Sequence, residues 1–248
     1  MIEFFSQQWA TYRAIVDNNL MEHRQLTAAV AEAVQAWFAA RPADAGPADL
    51  ADLGCGDLAL MAPLYRQWPL ASLLAVDCTA EVLPLAQQQL GQVPYPCRWL
   101  EMDLLAWASS ANQAGQATGQ QNQQLDLILT SFAVHHLNDK EKGQFLEGCS
   151  RKLRPGGLLL WADVFRQPGE QRQEYVDRYS QRVRQGWLVL NASQQDQVIN
   201  HLSSCDFPAA ADAVMPLAEA AGFGCRWLWR GEHQAEALLA LMPNGGSN

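Results

Sequence analysis

Basic residues are scarce. The chain of 248 residues carries 17 Lys and Arg against 26 Asp and Glu, a formal net charge of -9. Such a surface repels phosphate backbones, which argues against a nucleic-acid partner. The small cluster Arg151, Lys152 and Arg154 falls near a predicted helix end, where cations are ordinary. Long apolar runs are missing too. None approaches about 18 residues, so neither a membrane span nor a membrane partner is expected. The opening "MIEFFSQQW" has no basic start and no apolar core, unlike a secretion signal. The 6 cysteines are scattered without CxxC spacing. That argues against zinc or a redox pair and for buried thiols in a reducing, cytoplasmic compartment. With 49% hydrophobic residues the chain can build a substantial core.

What is present is an alternation of apolar strands and helices, which implies an α/β fold with a doubly wound, mostly parallel sheet. A helical stripe runs from about residue 7 to 40 and is stopped by Pro42, Gly46 and Pro47. Strands follow at 49–53, 71–77 and up to about Asp103, with helices at 58–67 and 80–90 between them. A Gln- and Gly-rich stretch, 109–124, has no apolar period and reads as an extended or disordered surface insert. "LDLILTSFAVHHL" is a buried fourth strand that opens into a loop with His135 and His136. A helix over 139–153 and the strand "LLLWADVF" come next. Residues 166–208 break the rhythm with two helices, the second capped by Ser193. After a further helix from Pro208, "FGCRWLWRG" and "QAEALLALMP" read as a terminal antiparallel hairpin. The chain thus divides into an N-terminal helical cap (1–46), a Rossmann-like core of seven strands (47–165 and 209–243) and an inserted helical cap (166–208).

The chemistry starts at "ADLGCGDLAL", 51–60. Gly54 and Gly56 follow a strand and precede a predicted helix, the arrangement of a nucleotide-type cofactor turn. Three acids fall at the ends of successive strands: Asp57, Asp77 and Asp103. In an open α/β sheet those ends face the ligand crevice. There, an acid after the second strand can accept from a ribose diol, and one after the third can accept from an adenine amino group. Each alone reads more often as a turn or helix-cap residue; all three in register with the glycine turn reverse that reading.

These stretches resemble the class I S-adenosylmethionine-dependent methyltransferases. The likeness is carried by "DLGCGD" (52–57), "AVDC" (75–78), "EMDLL" (101–105), "LTSFAVHHL" (129–137) and "LRPGGLLL" (153–160), with the reversed last strand. It implies S-adenosylmethionine as cofactor and S-adenosylhomocysteine as product. It places Asp52, Gly54, Cys55 and Gly56 around the methionine part, with Asp57 nearby. It gives Asp77 the ribose hydroxyls and sets Cys78 beside the adenine. Asp103 and the Leu104 backbone take the adenine amino group, and Thr130 and Ser131 lie under the sulfonium. Leu58 stands where the family often has a third glycine, so its side chain has to turn into the packing.

The reaction expected is methyl transfer to an O, N or C atom of a small molecule. The strand end "TSFA" lacks the Asn/Asp-Pro-Pro-aromatic turn of enzymes acting on amide or base nitrogens. His135 and His136 are the first candidates for a general base. Tyr12, His23 and His201 are candidates from the caps. No metal site is expected, because adjacent histidines on an extended loop point apart. Trp9, Trp161, Trp187, Phe165 and Tyr179 are read as core or as pocket wall. Two other readings stay open: a cofactor-binding regulatory or scaffold protein without catalysis, and an NAD-dependent dehydrogenase, which the missing GxGxxG spacing opposes. Monomer and homodimer are both compatible with the sequence.

Overall fold

A computed structural model describes residues 9–110 and 124–244. Most of the Gln-rich stretch, and the residues before Trp9, lie outside the described residues. The strands form one sheet in the order β3-β2-β1-β4-β5-β8-β7. They are β1 (Ala48–Leu53), β2 (Leu70–Asp77), β3 (Cys97–Glu101), β4 (Leu125–Ser131), β5 (Leu153–Arg166), β7 (Phe223–Arg230) and β8 (Glu236–Pro243), with a two-residue β6 (Ala209–Ala210) paired to β5. The first five in that order are parallel; β8 runs antiparallel to both β5 and β7. The seven-stranded path and the terminal hairpin match the sequence reading.

Strand periodicity makes the two layers. Successive strand side chains point to opposite faces. Leu50, Leu127, Leu129, Leu158 and Leu160 join one apolar cluster with α2 (His23–Ala40). Ala51, Leu53, Ile128, Leu159 and Trp161 join the other, under α6 (Asp139–Lys152) and α9 (Ala211–Ala220). The remaining helices are α1 (Trp9–Asp17), α3 (Ala62–Tyr65), α4 (Val82–Leu90), α5 (Leu104–Ser109), α7 (Arg172–Gly186) and α8 (Ala192–Cys205). A third apolar cluster joins α1, α7 and α8 over the end of β5 through Ile15, Val164, Tyr175, Val183, Trp187 and Leu202. β1 leads to β2 on one side and lies beside β4 on the other, so the sheet's switch point falls at the β1–β4 edge. No helix among the described residues is long and apolar enough to cross a membrane.

Several local expectations are corrected. The first helical stripe is two helices, not one, because Asn19 (φ 57°) and Glu22 (φ 53°) adopt left-handed backbone. The Asn19 side chain stabilises the break by accepting the Arg24 N–H at 2.8 Å and donating to Gln25 at 2.8 Å. The helix expected over 58–67 shrinks to α3, since Leu58 also has positive φ (56°) and cannot continue a right-handed turn. α8 starts earlier than expected: Asn191, not Ser193, caps it in a reciprocal box with Gln194. β6 precedes the helix expected from Pro208, which begins at Ala211.

α5 and α6 cross closely at Gly148, where an added Cβ would overlap the Ala108 carbonyl. Gly148→Ala is therefore expected to destabilise the protein by about 1–3 kcal/mol, the ordinary cost of overpacking. Urea unfolding monitored by tryptophan fluorescence checks this.

Candidate cofactor and active site

The turn after β1 is tied to the end of β2. The Gly54 and Cys55 N–H groups donate to the Val76 carbonyl at 2.8 and 3.0 Å. Gly56 N–H donates to Asp77 Oδ2 at 2.9 Å, and Thr79 N–H to Asp77 Oδ1 at 2.9 Å. Gly54 has φ 72°, and a Cβ there would meet that of Ala133 at 2.5 Å, so only glycine lets the turn approach the loop after β4. Leu58 takes the backbone of the missing third glycine. Left-handed backbone in a residue with a Cβ costs roughly 1–2 kcal/mol. Its side chain, 2% exposed, is packed in the apolar cluster with Met61 and Tyr65.

Each strand-end acid has its own environment. Asp52 is buried and accepts from Tyr65 Oη at 2.6 Å. Burial raises its carboxyl to about 7, against the lowering effect of that hydrogen bond. Asp77 is also raised by burial, held in check by the Gly56 and Thr79 N–H groups. Asp103 caps α5, its Oδ1 accepting from Leu105 and Ala106 N–H at 2.8 and 2.9 Å. Asp57 accepts from Ala59 N–H at 3.1 Å and pairs with Arg13 of α1 at 2.8 Å. Tyr12, one residue before Arg13, stands over Gly56, with its hydroxyl 3.7 Å from where a Cβ would be. Burial and the Asp57 charge push that phenol well above its ordinary value.

One cavity of about 250 Å³ joins these groups. Asp52, Gly54, Asp57, Asp77, Cys78 and Asp103 border it on the glycine-turn side, together with Cys55, Gly56, Leu104 and Ser131. Thr130 is not in its wall. That residue is fully buried and its hydroxyl has no hydrogen-bond partner among the described residues, because strand alternation turns it away from the face Ser131 presents. Trp9, Tyr179 and Trp187 are wall residues, whereas Trp161 and Phe165 belong to the core. His23 also reaches the wall, and burial lowers its imidazole to about 4.

The far wall carries His135, His136 and His201. The expectation that the adjacent pair would diverge is corrected. Val134–His136 is one turn of 3-10 helix, and the two rings lie 4.1 Å apart between centroids. His135 Nδ1 is 2.5 Å from Asp163 Oδ1. Burial alone would raise the Asp163 carboxyl, but the His135 imidazole takes it below the usual range, with Trp161 and Val164 donating as well. His135 is raised in turn: burial opposes its charge, and Asp163 and Asp206 outweigh that. Burial lowers His136, helped by the neighbouring His135, and lowers His201 to about 4.

Asp206 joins the three histidines. Its Oδ1 lies 3.7 Å from His135 Nε2, 3.4 Å from His136 Nδ1 and 3.3 Å from His201 Nε2. Ligand atoms of His135, His136 and Asp206 lie within 4.8 Å of one another, as close as a metal ion would need. The sequence reading missed Asp206, Asp163 and Tyr65. Only Asp163 left a trace there, an acid inside the apolar run "LLLWADVF".

A family model described as a methyltransferase domain matches residues 50–157. A trans-aconitate 2-methyltransferase from Azoarcus sp. (strain BH72) is 37% identical over 112 residues, covering 45% of this chain and 37% of that protein. A tRNA N(3)-methylcytidine methyltransferase from Drosophila melanogaster is 28% identical over 162 residues, covering 64% of this chain and 47% of the relative. The chain thus spans less than half the length of these curated relatives. In fold it is similar to the magnesium protoporphyrin IX methyltransferase of Synechocystis PCC 6803 solved with bound S-adenosylhomocysteine. The TM-score is 0.61 at 14% identity, covering 97% of this chain and 96% of the other. With the glycine turn, the strand-end acids and the reversed last strand in place, residues 50–157 match a methyltransferase domain, and the chain is similar in fold to S-adenosylmethionine-dependent methyltransferases.

Proposed function

We propose that this protein transfers a methyl group from S-adenosylmethionine to a small molecule enclosed beneath α1, α7 and α8. One observation carries the reading: the glycine turn with its acids and the histidine cluster border a single cavity roofed by those helices. Gly54 packs against Ala133 with no room for a Cβ, and its bare backbone borders the same cavity. Bound there, the cofactor supplies an activated methyl group on a sulfonium. The chain's part is alignment: Asp77 would hold the ribose end and Asp103 the adenine end, and Ser131 lines the same cavity. His135, oriented by Asp163, offers Nε2 toward the acceptor side and can take the acceptor's proton. The enclosed roof and the net charge of -9 favour a small acceptor over a nucleic acid.

The reading is tested by thermal unfolding. S-adenosylhomocysteine should raise the melting temperature and NAD should not; the reverse result, or no response to either, refutes it. Asp77→Ala should weaken S-adenosylhomocysteine binding by roughly 1.5–3 kcal/mol in calorimetry, the value of a charged hydrogen bond.

Asp52 gives a pH test. In the free protein its carboxyl titrates at about 7, well above the ordinary 3.8. The ammonium of the cofactor's methionine end would favour the ionised form, so Asp52 would lose its proton on binding. Affinity for S-adenosylhomocysteine is expected to be full above that value and to fall by up to about tenfold per pH unit below it. Asp52→Asn, which keeps an acceptor for Tyr65 but cannot ionise, should flatten the profile between pH 5 and 8 on this account, a window set by the raised value. Isothermal titration at several pH values decides it.

A further inference from the structure

We propose that His135, His136 and Asp206 form a tripod for a divalent transition-metal ion, zinc by donor set, at the acceptor end of the cavity. Three observations carry it.

The first is spacing. Bonds of about 2.0–2.1 Å from a tetrahedral ion put neighbouring ligand atoms roughly 3.3–3.4 Å apart. Asp206 Oδ1 lies 3.4 Å from His136 Nδ1 and 3.7 Å from His135 Nε2. These separations exceed ordinary hydrogen bonds, which run about 2.7–3.2 Å between nitrogen and oxygen. They match ligand atoms arranged around a shared ion, which in binding displaces any proton that His136 Nδ1 directs at the Cys205 carbonyl, 3.4 Å away.

The second is the carboxylate itself. Asp206 is 7% exposed, and its Oδ1 accepts no hydrogen bond from any described residue. A buried carboxylate oxygen without a donor is costly, and an ion removes that cost. The nearby buried cation does not serve it. Lys142 Nζ donates to the Leu137 carbonyl and, at 2.5 Å, to that of Phe207. His201 Nε2 also faces the same oxygen, at 3.3 Å. The buried Tyr175 hydroxyl, also without a hydrogen bond to a described residue, lines the same cavity.

The third is the outer support. Asp163 occupies His135 Nδ1 at 2.5 Å, which makes Nδ1 the protonated nitrogen and turns the Nε2 lone pair toward Asp206. A carboxylate behind a histidine in this way fixes the tautomer that a metal requires. Two histidines and one carboxylate leave a fourth position open, the donor set of a catalytic rather than a structural zinc site. With the ion bound, the His135 Nε2 lone pair is taken up by it, and an acceptor would enter the open position through a carboxylate, or through a hydroxyl whose acidity the ion raises, in place of proton transfer to His135. That last step rests on the methyl-transfer reading; the binding of the ion does not.

The test uses the full chain without a histidine tag, stripped by chelator. Calorimetry with zinc should give one ion per chain. Cobalt(II) in its place should show the intense visible bands of a four-coordinate site. His136→Ala and Asp206→Asn should each weaken zinc at least 100-fold. Asp163→Asn should weaken it 10–100-fold, the usual effect of removing a supporting carboxylate. S-adenosylhomocysteine should still raise the melting temperature of His136→Ala and Asp206→Asn, which shows them folded and keeps the two readings separable. A stripped protein that takes up no zinc, or His136→Ala and Asp206→Asn variants that bind it as the parent does, would overturn the ion while leaving the cofactor reading standing. Saturable zinc binding in a chain that ignores S-adenosylhomocysteine would do the opposite.

Discussion

A single fully buried carboxylate, Asp163, holds the active-site end of the sheet together. The β4–β5 register pairs Ser131 with Ala162, so Asp163 sits one residue beyond the end of β4, where the chain turns toward His135. It accepts from the His135 backbone N–H, the His135 ring, Trp161 Nε1 and Val164 N–H, between 2.5 and 3.0 Å. A carboxylate stripped of water is expensive unless such donors replace the water. Meeting that requirement draws the 3-10 turn onto β5 and sets the orientation of the His135 ring. The site's chemistry thus follows from a constraint of burial.

The roof is pinned by the same device. Glu236, the first residue of β8, is fully buried and pairs with Val164 across the sheet. It accepts from Tyr179 Oη at 2.8 Å and from Arg182 Nη1 at 2.7 and 2.9 Å, both on α7. Arg182 also donates to the Leu20 carbonyl at 2.7 Å, in the break between α1 and α2. α1 then reaches the glycine turn through Arg13 and Asp57. That last pair is partly exposed, so it contributes at most about 1 kcal/mol. The chain of contacts is firm where α7 meets the sheet and weak where α1 meets the cofactor turn. The weak end is where a roof can lift without unfolding the core.

The core strands were readable because each buries an apolar run of strand length, and a sheet built from such runs has few arrangements. The cofactor turn was readable because glycines and acids at strand ends fall at spacings the chain cannot hide. What escaped was local backbone. Asn19, Glu22 and Leu58 adopt left-handed φ, which no periodicity announces, and so one long helix was expected where there are two and a full helix where there is one turn. The histidine pair was misjudged for the same reason: three residues of 3-10 helix are too short to leave a pattern. Asp206 and His135 are brought together only by the inserted helices, a long-range contact with no local signature.

This division has a consequence for specificity. The methyltransferase-domain match ends at residue 157. Gly54, Asp77, Asp103 and Ser131 lie inside it, and so does His135. Tyr12, Tyr175, His201 and Asp206 lie outside it, on the N-terminal helix and the inserted segment. The family-model match therefore covers the glycine turn and the strand-end acids, while α1, α7 and α8, which close the cavity in the proposed reading, lie outside it. Relatives acting on trans-aconitate and on tRNA cytidine can share the first half because a strand-end grip on a nucleoside is indifferent to the acceptor. In the proposed reading the acceptor is to be sought from the cavity wall outside that match, where Tyr175, Tyr179 and Trp187 line the same cavity as three histidines and Asp206. In the reading proposed above, such a lining favours a ligand with an apolar body and an oxygen-bearing end.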